Sequence, residues 1–215
     1  MFRWLFVFLL VAIVEIYAFQ AFRTLTKVRS YQFVYIILNL VVIIYIVNGF
    51  FHFDRSIGQT KQSLFTIGLL LLTLVPKLLI TFVMIVEDIY RVFSGTITRF
   101  LGDNDYGSFL PERRKFVSQI AVGLAAIPFV SFLYGMTIGK YNFKIIKQTL
   151  TFPDLPDNFD GFVLAQISDI HSGSFDNPEK IQYAINLINK QEFDVLLFTG
   201  DIVNTDATEM HPWVE

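Results

Sequence analysis

The chain has 215 residues, of which 53% are hydrophobic and 17% charged, with 24 Phe and 9 Tyr. A soluble domain of this size carries a more even balance of apolar and charged residues, so a wholly soluble protein is excluded. The net charge of −2 comes without a basic tract or an acidic tail, so nucleic acid is not an expected partner. The absence of cysteine excludes disulfides, thiolate metal sites and a cysteine nucleophile.

The apolar excess is concentrated before about residue 140, which divides the chain into a membrane domain (1–139) and a soluble portion (140–215). Crossing the hydrocarbon core takes about 20 mostly apolar residues. Four segments qualify, at about 2–22, 31–51, 64–86 and 116–138. The first is too long and too aromatic for a signal peptide and lacks a small-residue cleavage site, so it reads as a permanent helix.

Loop charge gives the orientation. Arg23, Lys27, Arg29, Arg91, Arg99, Arg113, Arg114 and Lys115 fall on one side. Arg3, Arg55, Lys61, Lys140, Lys144 and Lys147 fall on the other, a bias of 8 against 6. The excess marks the cytoplasm, so the N-terminus and the soluble portion are expected outside it. Arg113-Arg114 ahead of an apolar run reads either as a basic stop at a helix end or as an internal twin-arginine signal, and both send the downstream residues outward.

Glu15 in the first span and Lys77 in the third, just after Pro76, stand at similar depth in parallel helices. A charge in hydrocarbon is costly unless paired. The pair reads as an inter-helix ion bond, with a proton or ion path as the competing reading. Asn39 and Asn48 suit hydrogen bonds between helices. Residues 87–101 carry Ile89, Val92, Phe93, Ile97, Phe100 and Leu101 at near-helical spacing, as expected of an amphipathic helix lying on the membrane face. Residues 102–107 (Gly-Asp-Asn-Asp-Tyr-Gly) read as a solvated turn, because the calcium-loop spacing is absent.

In the soluble portion, residues 144–152 alternate weakly and suggest a strand ended by Pro153 and Pro156. Residues 162–168 form a short apolar run suited to a buried strand. Asn177 as N-cap, Pro178 at the first helical position and Ile181, Ala184, Ile185 and Ile188 on one face predict a helix. A second buried strand follows at 194–199. Strand, helix and strand in succession imply two parallel strands with a right-handed crossover. Ligands of such sheets bind beyond the carboxyl ends of the strands, where Asp169, His171 and Asp201 stand. Singly, an Asp-x-His or a Gly-Asp is commonplace. Jointly, at the ends of two apolar strands, they are candidate metal ligands.

The segments Ile167-Ser168-Asp169-Ile170-His171-Ser172-Gly173 and Phe198-Thr199-Gly200-Asp201-Ile202-Val203 resemble the first two blocks of calcineurin-like metallophosphoesterases. The run Leu155-Pro156-Asp157-Asn158-Phe159-Asp160-Gly161 is similar to the lead-in of the bacterial membrane-anchored branch. The resemblance covers about 141–215. It implies the first β-α-β portion of an α/β metallophosphoesterase sandwich, following a four-helix membrane domain. It implies two divalent metal ions, with manganese, iron or zinc suited to carboxylate and imidazole ligands. Asp169 and His171 would hold the first and Asp201 would bridge both. The expected activity is hydrolysis of a phosphomonoester or phosphodiester, with lipid or envelope substrates among the candidates, by a protein of the bacterial cell membrane. The family's Asn-His and Gly-His-x-His blocks, with the general-acid histidine, are not found through Glu215; His52 and His211 lie in no such motif. The chain therefore reads as a fragment of a longer enzyme, inactive alone. The alternative is a non-catalytic membrane anchor or interaction module.

Overall fold

The computed structural model describes residues 2–54, 60–101 and 110–214, with side chains described from residue 9 and outside 98–112. The 102–107 turn expected from sequence, and Arg55, lie outside the described residues. The chain divides into two compact units, Met1–Asn48 with Thr66–Thr137 and Gly49–Phe65 with Ile138–Glu215.

The first unit is built from long helices: α1 (Phe2–Leu25), α2 (Arg29–Phe51), α3 (Lys61–Leu101) and α4 (Leu110–Thr137). Three of them, over Arg29–Phe51, Lys61–Ile97 and Arg113–Thr137, are long and apolar enough to cross a membrane. Their large apolar side chains point outward, as at Phe33, Leu38, Ile44, Phe82 and Ile127. Water would not tolerate such a surface, whereas lipid covers it. The buried positions on α1 and α4 are mostly small: Ala18 and Ala21 on α1, Ser118, Ala121 and Ala125 on α4. Small residues let helix backbones approach closely where no hydrophobic force separates helix from lipid. This explains why α1 packs against α4.

Two polar clusters sit in this helical unit. Lys77 Nζ donates to Glu15 Oε1 at 2.6 Å and to Asn39 Oδ1 at 2.5 Å, joining α3 to α1 and α2. The ion pair and the Asn39 bond expected from sequence are both present. In the second cluster Arg114 of α4 donates to Gln20 Oε1 at 2.7 Å and to Asp88 Oδ1 at 3.0 Å. Asp88 also accepts from Arg91 at 2.7 Å. Glu87 is buried beside Arg114, 3.9 Å away. Arg113 lies 3.9 Å over the Tyr90 ring, a cation–π contact. Both arginines of the Arg-Arg pair are thus used in packing α4 on α3.

Two sequence expectations are corrected. Residues 87–101 are not a separate surface helix but the continuation of the third span, one 41-residue helix. No Pro or Gly separates Val86 from Phe93, so nothing interrupts the hydrogen-bond ladder there. Pro76, inside α3, does not end it either; the following turns restore the pattern. Residues 144–152 form no strand. Extended backbone needs a neighbouring ladder, and none pairs with this stretch among the described residues.

In the second unit, β1 (Leu164–Ile167) and β2 (Val195–Phe198) pair in parallel, Leu164 opposite Val195 and Ile167 opposite Phe198. Between them runs α5 (Pro178–Asn189), whose N-cap Asn177 accepts from the Lys180 N–H at 3.0 Å, with Pro178 in the first turn. Every residue of β2 is exposed, Phe198 at 50%. A parallel strand is normally covered on both faces, and the described residues supply no second layer for this one.

Candidate metal centre

The strand ends set the site. Beyond β1 and β2 the two chains stay paired through their loops. Thr199 N donates to Ile167 O at 3.0 Å, Asp169 N to Gly200 O at 3.1 Å, His171 N to Asp201 O at 3.3 Å and Ser172 N to Ile202 O at 2.9 Å. This zipper carries the parallel register past the sheet and fixes Asp169 and His171 against Asp201.

The backbone there is strained. Asp169, His171 and Asp201 all have positive φ, at 53°, 48° and 61°, and among the described residues no other non-glycine residue does. The left-handed region costs an L-residue roughly 1–2 kcal/mol, Asp least among charged residues. Such strain collects at functional sites, where the surrounding bonds hold it in place. Gly200 at φ 108° makes the turn that brings Asp201 round to the first loop.

One ligand-capable atom from each of Asp169, His171 and Asp201 lies within 4.8 Å of the others. His171 Nε2 is 3.3 Å from Asp201 Oδ2, and both side chains are about half exposed. Donors that share one cation at about 2.0–2.2 Å stand no more than about 4.4 Å apart, so these three need only a small inward adjustment to meet on a single ion. Two carboxylates and an imidazole suit a borderline divalent ion. The donor set, its spacing and its open side fit a metal. All three residues singled out from sequence are therefore brought together.

Sequence reasoning missed the supports around them. The site loop at 172–174 is a 3₁₀ turn whose Ser172 is buried. Gly173 lies so close to Glu209 that a β-carbon would stand 2.4 Å from Oε2. Glu209 Oε2 accepts from Asn204 N at 2.6 Å, and Asn204 Nδ2 donates to Ser174 Oγ at 2.9 Å. The 3₁₀ helix Ala207–Trp213, which carries His211, thus buttresses the first loop, and Trp213 packs edge-on against Phe175 at 5.4 Å. No motif marks these contacts, which arise from the second loop folding back.

A further cluster was also unanticipated. Asp176 accepts from Lys140 Nζ and from the Tyr141 hydroxyl at 2.5 Å, while its own N–H donates to that hydroxyl at 3.0 Å. The Lys140 and Tyr141 bonds hold the Asp176 carboxyl below its usual range, with Lys61 adding a smaller pull. Burial, then the bond to Asp176, raises the Tyr141 phenol above its ordinary value.

Residues 2–140 match the family described as "Probable Calcineurin-like phosphoesterase, transmembrane domain". The chain is 28% identical over 103 residues to the metallophosphoesterase YkuE of Bacillus subtilis, covering 46% of this chain and 36% of that protein. It is 24% identical over 119 residues to "Transmembrane protein with metallophosphoesterase domain" of Danio rerio, covering 52% of this chain and 27% of that protein. These alignments therefore span about a third of the curated relatives. No solved structure matches.

Proposed function

The chain belongs to the family of probable calcineurin-like phosphoesterase transmembrane domains, and from that premise we propose that the protein is a membrane-anchored, two-metal phosphoesterase hydrolysing phosphomonoesters or phosphodiesters on the outer side of the cell membrane. The observation that carries the reading is the meeting of Asp169, His171 and Asp201 within 4.8 Å at the ends of two parallel strands. Relatives that match in sequence are named metallophosphoesterases, which supports the same chemistry here.

Asp169 and His171 would hold one ion, and Asp201 would face both. Bound divalent ions supply the positive charge that neutralises phosphate oxygens and activates water for in-line attack. The protein's own part is orientation. The backbone bonds from Asp169 N and His171 N to the 200–201 segment keep the three donors in place before any ion arrives, which lowers the ordering cost of binding. Manganese, iron or zinc suits the donor set. The outward placement rests on loop charge. The bare apolar faces of β2 call for a further layer, from later chain carrying the acid histidine or from a partner.

The test is hydrolysis of an aryl phosphodiester by the full-length protein with manganese. Asp201→Asn should abolish turnover, and His171→Ala should weaken metal binding and recover partly at high metal. Unchanged metal-dependent turnover in Asp201→Asn would overturn the assignment.

A further inference from the structure

We infer that the outward face of α3 from Phe82 to Ile97 is the contact surface for a second copy of this chain, which pairs α3 with α3 side by side and in parallel. Only the helical unit is involved, and the pairing is independent of the phosphoesterase reading.

The sequence gives this stretch two opposed faces. Phe82, Val86, Ile89, Phe93 and Thr96 follow one another at intervals of four, three, four and three residues, the spacing of a seam between two helices. All five are exposed, Ile89 at 63% and Phe93 at 66%. The Thr96 hydroxyl donates back to Val92 O at 2.7 Å, so the seam carries no bare donor. Val92 and Ile97 widen it and are exposed as well. The opposite face is polar and already in use. Thr81, Met84 and Glu87 are buried on it, and Asp88 accepts from Arg91 and from Arg114 of α4. The helix thus turns its charges inward and its apolar side chains outward.

Lipid can cover only part of that outward face. α3 has 41 residues, a length of about 61 Å at 1.5 Å per residue, against a hydrocarbon core about 30 Å thick. Burying its whole length would need a tilt of about 60°, beyond the roughly 40° that spanning helices reach. Arg113, Arg114 and Lys115 open α4 and stand level with Glu87, Asp88 and Arg91 through the bond from Arg114 to Asp88. Charge so concentrated marks the end of hydrocarbon. Val92, Phe93, Thr96 and Ile97 lie past that level, on a helix that continues without a break. A contiguous apolar patch in that position marks a surface that another molecule covers.

A second copy is the cover that fits. The membrane gives every copy the same orientation. A twofold axis along its normal therefore sets α3 beside α3 in parallel and in register, and each seam residue meets its own counterpart. A surface that meets itself must not repel itself. This one carries no charge, because Glu87, Asp88 and Arg91 all face the other way. Phe82, Val86, Ile89, Val92, Phe93 and Ile97 are exposed and together offer roughly 600 Å². A pair of copies can then bury about 1,200 Å², the lower end of specific interfaces. The seam runs from hydrocarbon into water, so close packing holds its first half and the hydrophobic effect its second.

The chain has no cysteine, so a single introduced thiol reports on one position. The test is copper-phenanthroline oxidation in membranes of cells producing the full chain. Ile89→Cys and Phe93→Cys should each give a disulfide-linked pair at twice the chain mass, because a parallel seam brings matching Cα atoms to within about 4.4–6.8 Å, as a disulfide needs. Gly95 lies on the face away from the seam, where an added β-carbon meets nothing within 4 Å. Gly95→Cys should therefore link at least about tenfold less. Phe93→Glu changes an exposed side chain, so the single copy keeps its fold. It should cut the linking of Ile89→Cys at least about tenfold, by setting two carboxylates against each other. Equal linking at all three positions would show random collision. Absent linking at Ile89→Cys and Phe93→Cys would show an unpaired face, and linking to a protein of another mass would show a different occupant. Each of these results overturns the pairing, as does linking of Ile89→Cys that Phe93→Glu leaves unchanged.

Discussion

Lys77 reaches Glu15 at 2.6 Å and Asn39 at 2.5 Å from inside an apolar helix, with its side chain 12% exposed and that of Glu15 26% exposed. Lys77→Met removes the cation and leaves the Glu15 carboxylate without a partner among lipid-facing helices. Breaking a buried pair from one side costs about 3–5 kcal/mol, and the residual exposure of Glu15 puts the expected loss near the low end, about 3 kcal/mol. Glu15→Gln is milder, because the amide oxygen still accepts from Lys77. The loss of charge assistance should cost about 2 kcal/mol. The double variant carries no charge at this depth and should lose only about 1 kcal/mol. Additivity would predict about 5 kcal/mol, so the coupling is about 4 kcal/mol in favour of contact. The measurement is reversible unfolding of the membrane domain in lipid bicelles, by steric trapping, for the parent and the three variants. Single and double losses that add to within about 0.5 kcal/mol would show that the pair does not interact and would refute the reasoning.

Gly173→Ala should push Glu209 off the Asn204 amide, since the new β-carbon would stand 2.4 Å from Oε2; the loss of that bond should cost about 1–2 kcal/mol, read as a lowered unfolding midpoint of the soluble portion. Combining it with Glu209→Ala should cost less than the sum, and additive losses would argue against the clash. The bonds from Lys140 and Tyr141 to Asp176 should depend on pH with a definite sign. The folded-state pKa of Asp176 is depressed, by the Lys140 bond first. Its contribution is therefore full above the ordinary carboxylate range and is lost as pH falls through the depressed value. The NMR shifts of the Tyr141 ring, which bonds to Asp176, should thus be flat from neutral pH down to the ordinary Asp range and change only below it, whereas a change beginning near neutrality would contradict the assignment. A reporter active only outside the cytoplasm, fused after Glu215, should be active, and activity of a cytoplasm-only reporter there would reverse the proposed orientation.

What the sequence made legible follows from the range of the forces involved. The helices at 29–51 and 110–137 were readable because a span must be apolar over its whole length, and hydrocarbon enforces that residue by residue. Lys77 and Glu15 were readable as partners because lipid leaves a charge so few alternatives. Asp169, His171 and Asp201 stood out because a parallel strand pair fixes where its loops emerge. The length of α3 was harder to read. Its polar face after Val86 signals exit from hydrocarbon, but a helix ends only where the backbone is interrupted, and Glu87-Asp88 interrupts nothing. The missing strand at 144–152 has the opposite cause: alternation describes a strand's faces, yet a strand exists only when another chain supplies its hydrogen bonds. The meeting of Lys140 and Tyr141 with Asp176 was invisible for the same reason as the Glu209 buttress. A lysine after a span and an aspartate before a helix cap each have a sufficient local explanation, so their meeting 36 residues apart leaves no trace in either neighbourhood. Polar contacts whose members are each locally satisfied are where structure adds most to sequence.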